Sequence, residues 1–360
     1  MSVVESLSTD KWSTDPMANI HRRISFARDN VGLVLHSAVW RSVDSGISWS
    51  KVLEDERYSA LLALPGDFVV AAGEEGRFAI SHNAGETWNE SRLAVNGDIT
   101  AIAAPDPSNI TVSTTGGQVL VSTDQGTVWT EIPMPCRDFD VDDLESREPG
   151  QIWLLQRPRE EAVRTAAYYL WLSRQKAAAA KNNEQADWFT ARERLLTRSL
   201  HYTPDFGRRW IAAEMPACTF DGLRRIGDDE VVALSSGHGC VSARLGDDCI
   251  TLSHMAAGSG WCCDAIARNS ICYAGYSHSA GLFATTHDAG MTWHEVQISD
   301  NGVTDVFFKD DLRGWALVGS YGGTMVWGTS NGGLTWSRLT QPRLVQWGGR
   351  RFKGLTSPFA

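Results

Sequence analysis

The 360-residue chain has no apolar run long enough to span a bilayer, and its first residues, MSVVESLSTDKWSTDPMANIHRR, have no signal-peptide core. A soluble, cytoplasmic chain is the expectation. A basic surplus is missing too. Lys and Arg number 33 against 43 Asp and Glu, a formal net charge of −10, which disfavours nucleic acid or an anionic membrane as the partner. The seven cysteines include no CxxC pair, and six of them (Cys218, Cys240, Cys249, Cys262, Cys263, Cys272) fall within 55 residues. An odd number without metal spacing reads as reduced, partly buried thiols.

What the chain has instead is one turn, written six times. SVDSGISW (42–49) returns as SHNAGETW (81–88), STDQGTVW (122–129), TPDFGRRW (203–210), THDAGMTW (286–293) and TSNGGLTW (329–336). In each, Ser or Thr stands two before Asp or Asn, Gly two after it and Trp five after it. The acidic or amide side chain caps backbone N–H groups two residues on, and Gly takes φ > 0 without a Cβ clash. The Trp opens the next strand and supplies packing surface. Asp44, Asn83, Asp124, Asp205, Asp288 and Asn331 are therefore read as structural, and the motif, called the box below, as a hairpin closure.

From Trp49 the box tryptophans are 39, 41, 81, 83 and 43 residues apart. A unit of about 40 residues with four short strands is the period of a propeller blade, so each double step hides something. A polar turn after each first strand occurs seven times: Arg28–Asn30, Pro65–Asp67, Asp106–Asn109, Glu148–Gly150, Gly227–Asp229, Arg268–Ser270 and Lys309–Asp311. Seven turns for six boxes put an unboxed blade at about Thr219 to Ser253. The other double step holds one turn, so its surplus is an insertion. Arg159 to Leu196 is rich in helix formers, lacks Pro and Gly and breaks at Lys181-Asn182-Asn183, which predicts two helices between the second and third strands of blade four. Tyr168, Tyr169, Trp171, Trp188 and Phe189 make this insert more aromatic than an exposed hairpin needs.

The expected fold is all-β: a single seven-bladed β-propeller over 20–342 with a two-helix insertion at 158–197 in blade four. Residues 1–19 form an arm. Residues 343–360 form a tail that supplies a closing strand or lies across a face.

The boxes resemble the bacterial neuraminidase repeat, or Asp box, shared by sialidases, sortilin-type receptors, xyloglucan hydrolases and photosystem II stability/assembly factor-like proteins. The last group is most similar, through VTDVFFKDDLRGWALVGSYGGTMVWGTSNGGLTW (303–336) and more loosely ISFARDNVGLVLHSAVWRSVDSGISW (24–49). That resemblance implies a propeller that binds a membrane-protein precursor during assembly, usually in exported proteins. The chain departs from the group in lacking an export signal and in carrying the helical insert. A sialidase would need an Arg-Ile-Pro stretch, and His21-Arg22-Arg23-Ile24-Ser25 has no Pro. Retaining glycosidase chemistry needs two carboxylates about 5 Å apart, and no such pair stands out.

Box turns lie between strands three and four. Loops between strands two and three therefore open on the other face, with the blade-to-blade connections, and such loops carry function. They bring His36, Glu74 and Glu75, Thr114 and Thr115, the insert, His238 and Cys240, His278, and Tyr321 to that face. His36, His238 and His278 are three of nine histidines, a candidate set for Zn, Cu or Fe. Glu74, Glu75 and Tyr321 are candidate catalytic groups. Asp264 and Asp305, on first strands, are candidate binding groups, and with Asp140 they are expected to line the channel. The plainer reading is unrelated polar loop residues, since loops favour them anyway. Two functions follow: a non-catalytic binding or assembly module holding a protein or small-molecule partner on the box-free face, or a metal-dependent enzyme whose pocket the insert lids.

Overall fold

The strands of this chain are short and alternate, and the alternation sends successive side chains to opposite faces. In blade two, Val69–Gly73 is buried throughout. Val69 and Ala71 pack with Leu33, Leu35 and Val39 of blade one, while Val70 and Ala72 pack with Ile99, Ile110 and Val112 of blade three. A strand with two apolar faces needs a sheet on each side, and only a closed ring gives every sheet two neighbours. The computed structural model, which describes residues 23–36, 38–135, 139–176, 190, 199–215, 220–227, 229–235, 239–254, 262–267, 270–277, 280–320 and 323–339, shows that ring.

Seven four-stranded antiparallel sheets follow one another at 24–53, 58–92, 99–131, 139–214, 220–254, 262–299 and 303–338, each with its strands in chain order. First strands line the centre and touch in sequence from blade one round to blade seven and back to blade one. Seven apolar clusters fill the seven interfaces, one between each pair of neighbours. Blade seven meets blade one by packing: Phe26 stacks on Trp315 at 3.8 Å, and the Trp315 indole N–H donates to the Ser45 carbonyl at 3.0 Å. The arm at 1–19 and the tail at 343–360 lie outside the described residues.

All six boxes fold alike. In blade three, Ser122 Oγ accepts the Gly126 N–H at 2.9 Å and donates to Asp124 Oδ1 at 2.8 Å, and that oxygen accepts the Val128 N–H at 2.8 Å. The acceptor thus caps a group four residues on, and not two as the motif suggested, because the hydroxyl takes the nearer N–H groups. A second difference concerns handedness. Positive φ is shared by the Gly and the residue before it, and at that position Ser45, Ala84, Gln125, Phe206 and Ala289 are not glycine. Five boxes, those of blades one to four and seven, dock on their own blade's first turn through one backbone bond, as Gln125 N–H does on the Ser108 carbonyl at 3.2 Å. The box Trp seals the interface with the preceding blade, as Trp129 does against Phe78 at 5.1 Å.

The blade without a box runs from Phe220 to His254. Cys240, Cys262 and Cys272 are buried cysteines outside any disulfide, and Cys249 is an exposed one. The insert leaves blade four between its second strand, Ile152–Pro158, and its third, Ser199–Thr203. The described residues hold one extended α-helix there, α1, Glu160–Lys176. The second helix of the expected pair falls on 177–198, which, Thr190 apart, lie outside them.

Candidate functional site on the box-free face

Antiparallel pairing puts the boxes and first turns at one end of the blades, so the loops between second and third strands meet at the other. His36 sits in such a loop between Leu35 and Val39; its N–H donates to the Ala38 carbonyl at 2.9 Å, and its own carbonyl accepts the Trp40 indole N–H at 3.2 Å. Burial, and then the nearby Arg23 charge, lower the imidazole pKa, so His36 is neutral at physiological pH.

Glu74 and Glu75 form a single 3-10 turn, Glu74–Gly76, with Glu75 at φ +54°. A non-glycine residue holds that conformation only when neighbours over-determine it. They do: Glu75 N–H donates to Asp98 Oδ1 at 2.8 Å, and its carboxylate pairs with Arg92 at 2.8 Å. The chain of contacts continues into blade three, where Asp98 N–H donates to Thr115 Oγ1 at 3.0 Å. Beside Thr115, the Gly116 carbonyl accepts from Arg159 Nη2 at 2.6 Å, and Arg159 Nε reaches Asp140 at 3.0 Å. Asp140, expected at the channel, is thus a post for the insert. The polar relay ties the loops of blades two and three to the root of α1. Beside it lies an open cleft of about 640 Å³ between blades two and three, lined by Glu75, Arg92, Asn96, Asp98 and Gln118.

Val163 is the one buried side chain of α1 among those described, whereas Tyr168 and Tyr169 are 52% and 65% exposed. Tyr168 stacks on Trp171 at 5.9 Å and meets Tyr169 edge-on at 6.0 Å, which makes a contiguous aromatic surface.

Asp264 and Asp305 are engaged as structural acceptors. Asp264 Oδ2 takes the Phe308 N–H of the next blade at 2.6 Å, and Asp305 Oδ2 takes the Ile24 N–H across the ring closure at 3.0 Å. Asp143, which the motifs did not single out, does the same with the Leu223 N–H at 2.9 Å and adds a buried ion pair to Arg224 at 3.1 Å. Its signal was available: an acid four or five residues before the first turn, as at Asp264 and Asp305. Arg92, Asp98 and Arg159 carried no signal, because each acts through a partner distant in sequence. His238, His278 and Tyr321 lie outside the described residues, and among the described residues no three His, Cys, Asp or Glu side chains converge as metal ligands.

With that geometry in hand, a family model described as a protein of unknown function (DUF2934) matches residues 158–197, the insert alone. No curated protein matches the chain. Solved structures do. One is YCF48 bound to D1 peptide, at 13% identity and a TM-score of 0.55, with 78% of this chain and 82% of that chain covered. Another is the Neurospora crassa Pan2 WD40 domain, at 10% identity and 0.57, with 92% of each covered. A third is an ancestral GH74 enzyme, at 12% and 0.54, with 89% of this chain and 46% of that one covered. At these identities the likeness is one of fold: the chain is a seven-bladed β-propeller, here with a helical unit inserted in blade four.

Proposed function

We propose that the chain is a non-catalytic binding module of the Asp-box propeller type, which holds a protein partner on its box-free face with α1 as the gripping arm. The observation that carries this is the exposed pair Tyr168 and Tyr169, with the half-buried Trp171 stacked beside them, on a helix with one buried side chain among those described. Tyr and Trp in exposed clusters mark protein interfaces, where they bring large contact area at low entropic cost. The polar relay from Arg92 to Arg159 anchors the arm's root, so binding energy is not spent on ordering it. Similarity to YCF48, solved with a peptide bound, supports the same reading.

A photo-crosslinking residue placed at Tyr169 tests it in cells that make the protein, against the same residue at Val128, which is as exposed but lies in a box. Discrete adducts from position 169, and none from position 128, are expected. Adducts from position 128 alone would move the binding face to the boxes.

A second reading, a metal-dependent enzyme using His36, His238 and His278, rests on the neutral His36 imidazole, the form that ligates metal. Near-stoichiometric Zn, Cu or Fe in untagged protein, lost in a His36→Ala/His278→Ala variant, would favour it.

A further inference from the structure

Of the eight large apolar side chains exposed among the described residues, five (Val43, Ile47, Met291, Leu312 and Leu334) sit at the box end of blades six, seven and one. The turn does not ask for them. The residue after the box Gly faces solvent, and there blades two, three and four carry Glu86, Thr127 and Arg208, all exposed. Blades six, seven and one carry Met291, Leu334 and Ile47 at the same place, 84%, 48% and 59% exposed. Ile47 is remote in sequence from the other two and joins them because the ring closes. A methyl group at Gly332, in the box of blade seven, would lie 3.6 Å from the His287 ring in the box of blade six, and Trp315 of blade seven donates to Ser45 in the box of blade one. Exposed apolar groups gathered on successive turns mark a docking surface.

The same arc holds carboxylates that no cation answers. Asp44 and Asp288 accept from hydroxyls and backbone N–H groups of their own boxes, and Asp311 is exposed in the first turn of blade seven. The cations of this face are paired elsewhere: Lys309 and Arg313 with Asp29, Arg28 with Asp67, and Arg41 with Glu86. Among the described residues none reaches Asp44, Asp288 or Asp311. The occupant that fits such a surface is both apolar and basic.

Residues 340–360, TQPRLVQWGGRRFKGLTSPFA, have that composition: six large apolar side chains, four Lys or Arg and no acid, in a chain of net charge −10. They also begin beside the arc. Leu339, the last described residue, packs in the seam between blades seven and one, and a methyl group at Gly46 in the box of blade one would lie 3.5 Å from it. From there the 21 residues that follow span up to about 70 Å when extended, enough to turn back across three boxes.

We propose that residues 340–360 dock on the box end of blades six, seven and one, with their apolar side chains against Ile47, Met291 and Leu334 and their cations against Asp44, Asp288 and Asp311. This surface is at the opposite end of the blades from His36 and the root of α1, so it and the face assigned to a protein partner stand or fall separately.

The test is photo-crosslinking within the purified full chain, with benzoylphenylalanine at position 47, 291 or 334, or at position 86 as the same place in an unlike box. Each protein is mixed with isotope-labelled wild type, so that a mass shift marks an adduct between chains. Unlabelled adducts to peptides from 340–360 are expected from positions 47, 291 and 334, and none from position 86. Trp347→Ser/Phe352→Ser should lower their yield roughly fivefold or more, as loss of anchoring aromatics does. Asp44→Asn/Asp288→Asn/Asp311→Asn should lower it less, because the ion pairs it removes are exposed; the boxes of blades two and seven are built on Asn, so the ring accommodates the change. A single cooperative unfolding transition in each variant shows that the ring is intact. Adducts that carry the label would assign the arc to a second copy of the chain. That result, tail adducts from position 86 as abundant as from 334, no tail adducts from 47, 291 or 334, or an unchanged yield in Trp347→Ser/Phe352→Ser would each overturn the proposal.

Discussion

Blades three and five carry the same four strands and close their last corner differently. Blade three uses a box, in which Ser122, Asp124 and Gly126 form a closed set of hydrogen bonds and Trp129 covers the interface with blade two. Blade five uses residues 246–249, with one backbone bond from Gly246 N–H to the Cys249 carbonyl at 2.7 Å. Both corners keep the bond that docks them on their own first turn: Gln125 to Ser108 in one, Leu245 to Asp229 in the other. What blade five lacks is the indole. Trp153 and Tyr202, 4.9 Å apart, supply that bulk from the opposite side of the interface, out of blade four. The box is thus a way of delivering one aromatic side chain and locking one corner. The ring needs the aromatic volume at each seam more than it needs the motif.

The largest effect that could break this comparison is at the substitute. Trp153 is 4% exposed, and Trp153→Ala should cost about 3–5 kcal/mol, the range for deleting a buried indole, read from the urea midpoint at constant m-value. Trp129→Ala should cost less, because that ring is half-buried. Equal costs would mean that blade five has some other seal and that Trp153 is ordinary core.

A smaller effect sharpens the comparison at the corners. Ser122 is buried, and its hydroxyl serves the N–H groups of Asp124 and Gly126. Ser122→Ala should cost about 1–2 kcal/mol through a lost cap and unsatisfied N–H groups. Asp248→Ala, in the plain corner, removes a side chain 86% exposed and should change stability by less than about 0.5 kcal/mol. A large loss at Asp248 would show that the short turn is as locked as a box.

The repeat made most of the fold legible. Trp spacing and first-turn chemistry are local signals, and together they located every blade, including the unboxed one, whose strands end at His254 against an expected end near Ser253. Less of the candidate site was readable. Glu75 stood out as an acid in a loop, but its meaning comes from Arg92 and Asp98, which are remote in sequence and ordinary in type. Asp264 and Asp305 stood out as acids on inner strands. The sequence could not tell a channel-facing carboxylate from one bonded to the next blade's backbone, since that depends on the lateral placement of neighbouring strands.

The mildest probe compares boxes built on Asp with boxes built on Asn. In blade six, the hydroxyl and N–H of Thr292 and the hydroxyl of Thr286 converge on the Asp288 carboxylate and hold its pKa at about 2. An unfolded chain titrates Asp near 3.9. The folded value is the lower one, so the ionised form favours folding; this contribution is fully present above about pH 4 and is lost as pH falls towards about 2. The blade-seven box has no such titration, because Asn331 makes the same turn with its amide donating to Thr335 Oγ1 at 2.8 Å. In Asp288→Asn the turn should persist and the titration should vanish. The melting temperature of wild type should therefore fall relative to the variant between about pH 4 and pH 2 and run parallel to it above pH 5. A gap that stays constant from pH 6 to pH 2 would mean that these hydrogen bonds do not prefer the charged carboxylate, and that Asp and Asn are interchangeable in the box.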